Sequence, residues 1–201
     1  MENLRVTICG IPELDEHSEA GVTHILSILG PDWPDPPAFA SFPPHRRLTL
    51  RFHDIIDPAP GQLGPSREDV VRILEFGRGV KEPARSHVLI HCHAGVSRST
   101  AAATLILAQA YPDRPAEEVL ERVAQIRPRA WPNLRILELG DALLGRDGEI
   151  VAAASAIYRR MLDREPLFGE AMIDAGRGRE VRAALGSPVN LSGRSPGRPG
   201  R

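Results

Sequence analysis

Cysteine is scarce in this chain: only Cys9 and Cys92 occur among 201 residues. So few, and so far apart, they cannot form the paired framework of a secreted disulfide scaffold, and they suit a reducing compartment. Lysine is scarcer still. Lys81 is the only one, so nearly every basic residue is an arginine, as in a GC-rich genome. Charge of one sign is also missing: 25 basic residues face 26 acidic ones, for a net charge of −1. That balance argues against bulk nucleic-acid binding or an anionic lipid surface as the main purpose. Long apolar runs are absent. The longest, Ala101 to Ala110, is interrupted by Thr104 and Gln109, and a bilayer needs roughly 20 apolar residues. Met1 to Arg5 lacks a basic region followed by an apolar run, so no secretory leader is expected. The expectation is a soluble, cytoplasmic protein with no nucleic-acid or membrane partner.

Enough apolar residues are present, at 42%, to bury a core. Leu4 to Cys9 alternates apolar and polar residues, which predicts a strand, and Val22 to Leu29 predicts a second. Gly30 to Pro44 is dense in proline and reads as irregular surface chain. Leu48 to Phe52 is a third strand, ending at His53 and Asp54. Ser66 reads as an N-cap with Asp69 three residues on, opening a helix whose apolar face carries Val70, Ile73 and Leu74. Val88-Leu89-Ile90 is the short continuous apolar run of a strand buried on both faces. Helices follow over Ser99–Ala110, after Pro115, over Leu134–Leu144 and over Glu149–Leu162. Strands alternating with helices predict an α/β fold. Its central sheet is expected to be mixed and mostly parallel, of about four to five strands, flanked by helices. From Gly176 the chain is rich in Gly, Arg, Ser and Pro, so residues 1–175 read as one domain and 176–201 as a disordered tail.

The chemistry is concentrated in one stretch, His87 to Thr100, which runs from buried strand through a short loop into a helix. Cys92 and Arg98 bracket the loop with five residues between them. A loop at a helix N-terminus presents several backbone N–H groups to one point, and the helix dipole adds positive potential there. His93, Ala94, Gly95, Val96 and Ser97 would supply that anion cradle, small residues letting the backbone approach closely. The same field favours thiolate over thiol, which makes Cys92 a nucleophile. Arg98 offers a planar fork for two phosphate oxygens. Ser99 places a hydroxyl within reach of the sulfur, and His91, at the strand end, can order the loop. His91, Cys92 and His93 are poor joint metal ligands, because adjacent strand residues point to opposite faces. Cys9 reads as a core residue.

These residues resemble the His-Cys-x5-Arg-Ser signature of the protein tyrosine and dual-specificity phosphatases. The match is nearest to the small dual-specificity-like members, whose loop reads His-Cys-x-Ala-Gly-x-Ser-Arg-Ser, as His91 to Ser99 do here. With the arginine bias, the resemblance points to a small bacterial-type member. It covers roughly residues 4–145. It implies a two-step reaction through a phosphocysteine, needing no metal and no cofactor. It also implies a general acid on the segment after the third strand. Asp54 takes precedence because it directly ends that strand, with Asp57 as the alternative. Trp131-Pro132-Asn133 is similar to a family element that opens a helix, and Asn133 would help position the attacking water.

The substrate so implied is a phosphorylated protein, phosphotyrosine or another phosphoresidue, or a small phosphomonoester. The loop holds no basic residue but Arg98, which leans against highly phosphorylated inositides. Trp33 and Phe39 are candidates for the rim of the pocket. Two other readings compete. One is a phosphate-binding pseudophosphatase. The other is a different cysteine-loop enzyme, an arsenate reductase or a sulfurtransferase. Oligomeric state is not readable.

Overall fold

The computed structural model describes residues 4–186. Four strands form one sheet: β1 (Arg5–Gly10), β2 (His24–Leu29), β3 (Arg46–Arg51) and β4 (His87–Cys92). Their spatial order is β1-β4-β2-β3, and all three pairings are parallel, so the expected, mostly parallel sheet of four strands is parallel throughout. Each crossover between parallel neighbours must travel the length of the sheet, which the intervening helices and 3-10 turns accomplish. β4 is central, and all six of its residues are buried, as its unbroken apolar run requires.

The helices are α1 (Arg67–Arg78), α2 (Arg98–Ala110), α3 (Ala116–Ile126), α4 (Leu134–Leu144), α5 (Glu149–Arg164), α6 (Pro166–Asp174) and α7 (Gly178–Ala184). α1 opens on the expected box: Ser66 Oγ accepts from Asp69 N at 3.1 Å, and Asp69 Oδ2 accepts from Ser66 N at 3.0 Å. α2 starts at Arg98, and from there to Ala108 every residue is buried. It packs on the sheet with Val6, Ile8, Val88, Ile90, Val119, Ile136 and Tyr158 in the main core. The opposite face of the sheet carries a smaller core of Cys9, Leu14, Val22, Ile25, Phe42 and Leu89. Side chains alternate across a strand, so Cys9 and Cys92 lie in different cores on opposite faces. Both are free thiols.

Two expectations need correction. The stretch from Gly176 is not tail throughout. α7 lies inside it, with Val181 and Ala184 in the main core. Its arginines have the composition of a tail, yet Arg177 is only 4% exposed, neutralised by Glu180 three residues on and by Asp54 from across the fold. The rest of the expected tail, 187–201, lies outside the described residues. The proline-rich segment after Gly30 also contains a 3-10 turn, Pro37–Ser41, followed by the buried Phe42. No helix among the described residues is long and apolar enough to cross a membrane.

Candidate active site

β4 ends at Cys92 and α2 begins at Arg98, so the loop between them sits at the carboxyl edge of the parallel sheet. Clefts form at that edge in open α/β folds. The loop is pinned from outside through its carbonyls. His93 O accepts from Ile11 N at 2.9 Å, Val96 O from Trp131 N at 2.9 Å, and Ser97 O from Asn133 N at 3.3 Å. Ala94 O accepts from Arg127 Nη2 at 2.9 Å. A planar trans peptide sets its N–H opposite its C=O. The N–H groups of Ala94, Gly95, Ser97 and Arg98 are therefore turned away from those neighbours. Gly95 makes the turn possible, with φ of +68°.

Cys92 is 2% exposed, and its Sγ lies 3.2 Å from Ser99 Oγ. His91 is fully buried, with Nε2 2.7 Å from Ser27 Oγ and Nδ1 3.4 Å from the Cys92 carbonyl. Burial pushes its pKa down from 6.5 to about 4. The unfolded chain therefore binds more protons than the folded one between those values, and stability rises with pH across that window. The His91 contribution is complete above pH 6.5 and lost as pH falls toward 4, at a cost on the order of 3 kcal/mol. Burial also lowers the pKa values of His24, His87 and His93, which adds in the same direction. The urea midpoint is expected to fall steadily from pH 7 to pH 4.5. A flat or rising midpoint would contradict a neutral buried imidazole.

Arg98 is 4% exposed. Its Nη1 donates to the Phe52 carbonyl at 2.7 Å, while Nε is buried without a hydrogen-bond partner, 4.0 Å from Asp54 Oδ2. Asp54 Oδ1 accepts from Ser97 Oγ and from Asn133 Nδ2, each at 2.8 Å. Asn133 also caps α4, its Oδ1 accepting from Ile136 N at 3.0 Å. The fold thus brings Cys92, Ser99, Arg98, Ser97, Asp54 and Asn133 to one place. Asp57 stands apart, half-exposed and paired with Arg179 at 3.0 Å. His93 turns its ring outward from the loop: Nε2 accepts from Gly30 N at 3.0 Å, and the ring lies 4.4 Å from that of Trp33. Trp33 is therefore beside the loop. Phe39 is not, since it packs with Phe42 and the smaller core.

A pocket of about 320 Å³ opens over Cys92 and Arg98. Part of its wall was not foreseen. Arg129, Phe168, Met172 and Arg177 line it, three of them from α6 and the turn into α7. The available signals were weak: Phe168 and Met172 are one helical turn apart, and Pro166 suits a helix start.

No protein-family model matches the chain. Human protein phosphatase Slingshot homolog 3 is 32% identical over 136 residues, which is 65% of this chain and 18% of that protein. Human dual specificity protein phosphatase 12 is 30% identical over 153 residues, 75% of this chain and 41% of that protein. The chain therefore spans less than half the length of either relative. Among solved structures, human DUSP28 superposes with a TM-score of 0.51 at 17% identity, covering 70% of this chain and 94% of that one. The parallel sheet, with a Cys-x5-Arg loop at its carboxyl edge, defines a cysteine-loop phosphatase fold. The chain belongs to the protein tyrosine/dual-specificity phosphatase family.

Proposed function

We propose that the chain is a phosphatase that hydrolyses phosphomonoesters, phosphotyrosine or another phosphorylated protein residue among them, through a phosphocysteine on Cys92. The observation that carries this is the buried Arg98 guanidinium. It is anchored by Phe52 through one nitrogen and keeps Nε without a hydrogen-bond partner, in the pocket that Cys92 also lines. A buried donor without an acceptor is costly, and a phosphate oxygen at the mouth of α2 would satisfy it. The apolar walls, Val96, Trp131, Phe168 and Met172, suit an aromatic leaving group. With both cysteines free, the proposed setting is the reducing cytoplasm.

The Cys92 thiolate attacks phosphorus in line, forming the P–S bond as the P–O bond to the leaving group breaks. Asp54 protonates the departing oxygen. Water then attacks the phosphocysteine and gives its proton to the Asp54 carboxylate. The P–S bond breaks, and Ser99 hydrogen-bonds the released thiolate. Inorganic phosphate leaves, and the enzyme is restored.

The test is hydrolysis of para-nitrophenyl phosphate, in chelator and reductant, by wild type and Cys92→Ser. Wild-type turnover that vanishes in the variant supports the proposal. Turnover surviving in Cys92→Ser, or inorganic phosphate binding without any turnover by wild type, would remove it. A second comparison assigns the acid. Asp54→Asn is expected to lower kcat about a hundredfold or more, while Asp57→Asn stays within a fewfold of wild type. The reverse ranking would move the acid to Asp57.

A further inference from the structure

We infer that Arg177, delivered by the turn between α6 and α7, is a positioning residue that fixes which oxygen of Asp54 carries the transferable proton. The inference rests on the catalytic role proposed for Asp54.

Three polar groups from three separate parts of the chain converge on a single oxygen, Asp54 Oδ1. Two of them, Ser97 Oγ and Asn133 Nδ2, hydrogen-bond it at 2.8 Å each, and the third, Arg177 Nη1, lies 3.3 Å away as an ion pair. An oxygen so surrounded has no room for a proton of its own. The proton must sit on Oδ2, the oxygen on the Arg98 side, 4.0 Å from Arg98 Nε. The charged or titratable groups facing this carboxylate are Arg98, Arg177 and, more distantly, His93.

Arg177 is built for this placement. Its Nε and Nη2 donate to the two oxygens of Glu180 at 2.8 and 2.7 Å, which orients the planar fork and sets Nη1 in an ion pair with Asp54. Glu180 is fully buried and held by Trp131 Nε1 and by Leu134 N at 2.9 Å. It is thereby tied to the segment that carries Asn133. Gly176, at φ +76°, closes α6, and Arg177 N donates to the Met172 carbonyl at 2.8 Å. Burial works against the Arg177 charge, but Glu180 and Asp54 outweigh it and hold the guanidinium protonated. The last helices are therefore part of the site, although the family resemblance ends before them.

The experiment uses the full chain and a series of aryl phosphates with leaving groups from phenol to 2,4-dinitrophenol. Arg177→Gln is expected to lower kcat about tenfold for phenyl phosphate and to leave 2,4-dinitrophenyl phosphate, whose leaving group needs no acid, near wild type. KM and the inhibition constant of inorganic phosphate should hold, and Arg177→Lys should restore part of the loss. Because Arg177→Gln strands the Glu180 charge, the pair Arg177→Gln/Glu180→Gln is measured beside it, with thermal melts. Adding Arg177→Gln to Asp54→Asn should cost nothing further. Equal losses across the leaving groups, multiplicative losses with Asp54→Asn, or weakened phosphate binding would each overturn the inference. If Cys92→Ser were active, the mechanism itself would fall. If Cys92→Ser were dead and Arg177→Gln were wild-type throughout, only this inference would.

Discussion

Arg98→Lys is expected to lower kcat/KM toward aryl phosphates about a thousandfold, the scale on which an arginine acts on a transferring phosphoryl group. The substitution keeps the charge, so a purely coulombic role predicts little change. Geometry predicts a large one. The Arg98 guanidinium divides its nitrogens: Nη1 is spent on the Phe52 carbonyl at 2.7 Å, and Nε has no hydrogen-bond partner. A lysine ammonium is a single point and cannot hold Phe52 while spanning two equatorial phosphoryl oxygens. It must also be buried where Arg98 is only 4% exposed. The measurement is kcat/KM together with the inhibition constant of inorganic phosphate, which should rise in parallel. Circular dichroism establishes that the variant is folded. A folded Arg98→Lys within tenfold of wild type would show that charge alone is needed, and the bidentate reading would be lost.

The contrast between what the residues announced and what they hid follows from the range of the interactions. β4, the loop and the start of α2 were legible because their determinants are local. Val88 to Ile90 is apolar without interruption, Gly95 permits the turn, and Cys92 and Arg98 are set by adjacent strand and helix geometry. The Ser66 and Asp69 box is local too. Asp54 could be placed only as the end of a strand. What separates it from Asp57 is Ser97 and Asn133, donors 43 and 79 residues away.

α6 and α7 were hidden for the opposite reason. Their apolar residues do not form a clean stripe: Phe168 faces the pocket, while Leu167 is 76% and Ile173 54% exposed. Arginine and glycine after Gly176 have the composition of a solvated segment. Only the folded protein brings Asp54 beside the local pair of Arg177 and Glu180 and makes its burial tolerable. A mostly parallel sheet was legible from the alternation of strands and helices, but that no strand is antiparallel was not, since strand direction depends on crossovers rather than on the strands' own residues.

Gly95→Ala tests whether the backbone itself is the phosphate site. A Cβ on Gly95 would lie 2.4 Å from the carbonyl carbon of Cys9 and 2.6 Å from Gly10 N. These are backbone atoms of β1, which is paired to β4 in register, Gly10 opposite Cys92. No side-chain rotation relieves such an overlap, so the loop or the strand must shift by roughly 1 Å, and a displacement of that size at reacting groups costs about a hundredfold. The left-handed φ adds about 1–2 kcal/mol of strain for any residue with a Cβ. Gly21→Ala separates the two effects: its φ is +70°, yet nothing lies within 4 Å of its Cβ position. Gly21→Ala should lower the urea midpoint modestly and leave kcat/KM intact. Gly95→Ala should lower the midpoint further and reduce kcat/KM about a hundredfold, with inorganic phosphate binding weakened to match. Should the two variants behave alike, the loop would be soft enough to absorb a methyl group. The N–H groups of Ala94, Gly95, Ser97 and Arg98 could not then be a preorganised cradle.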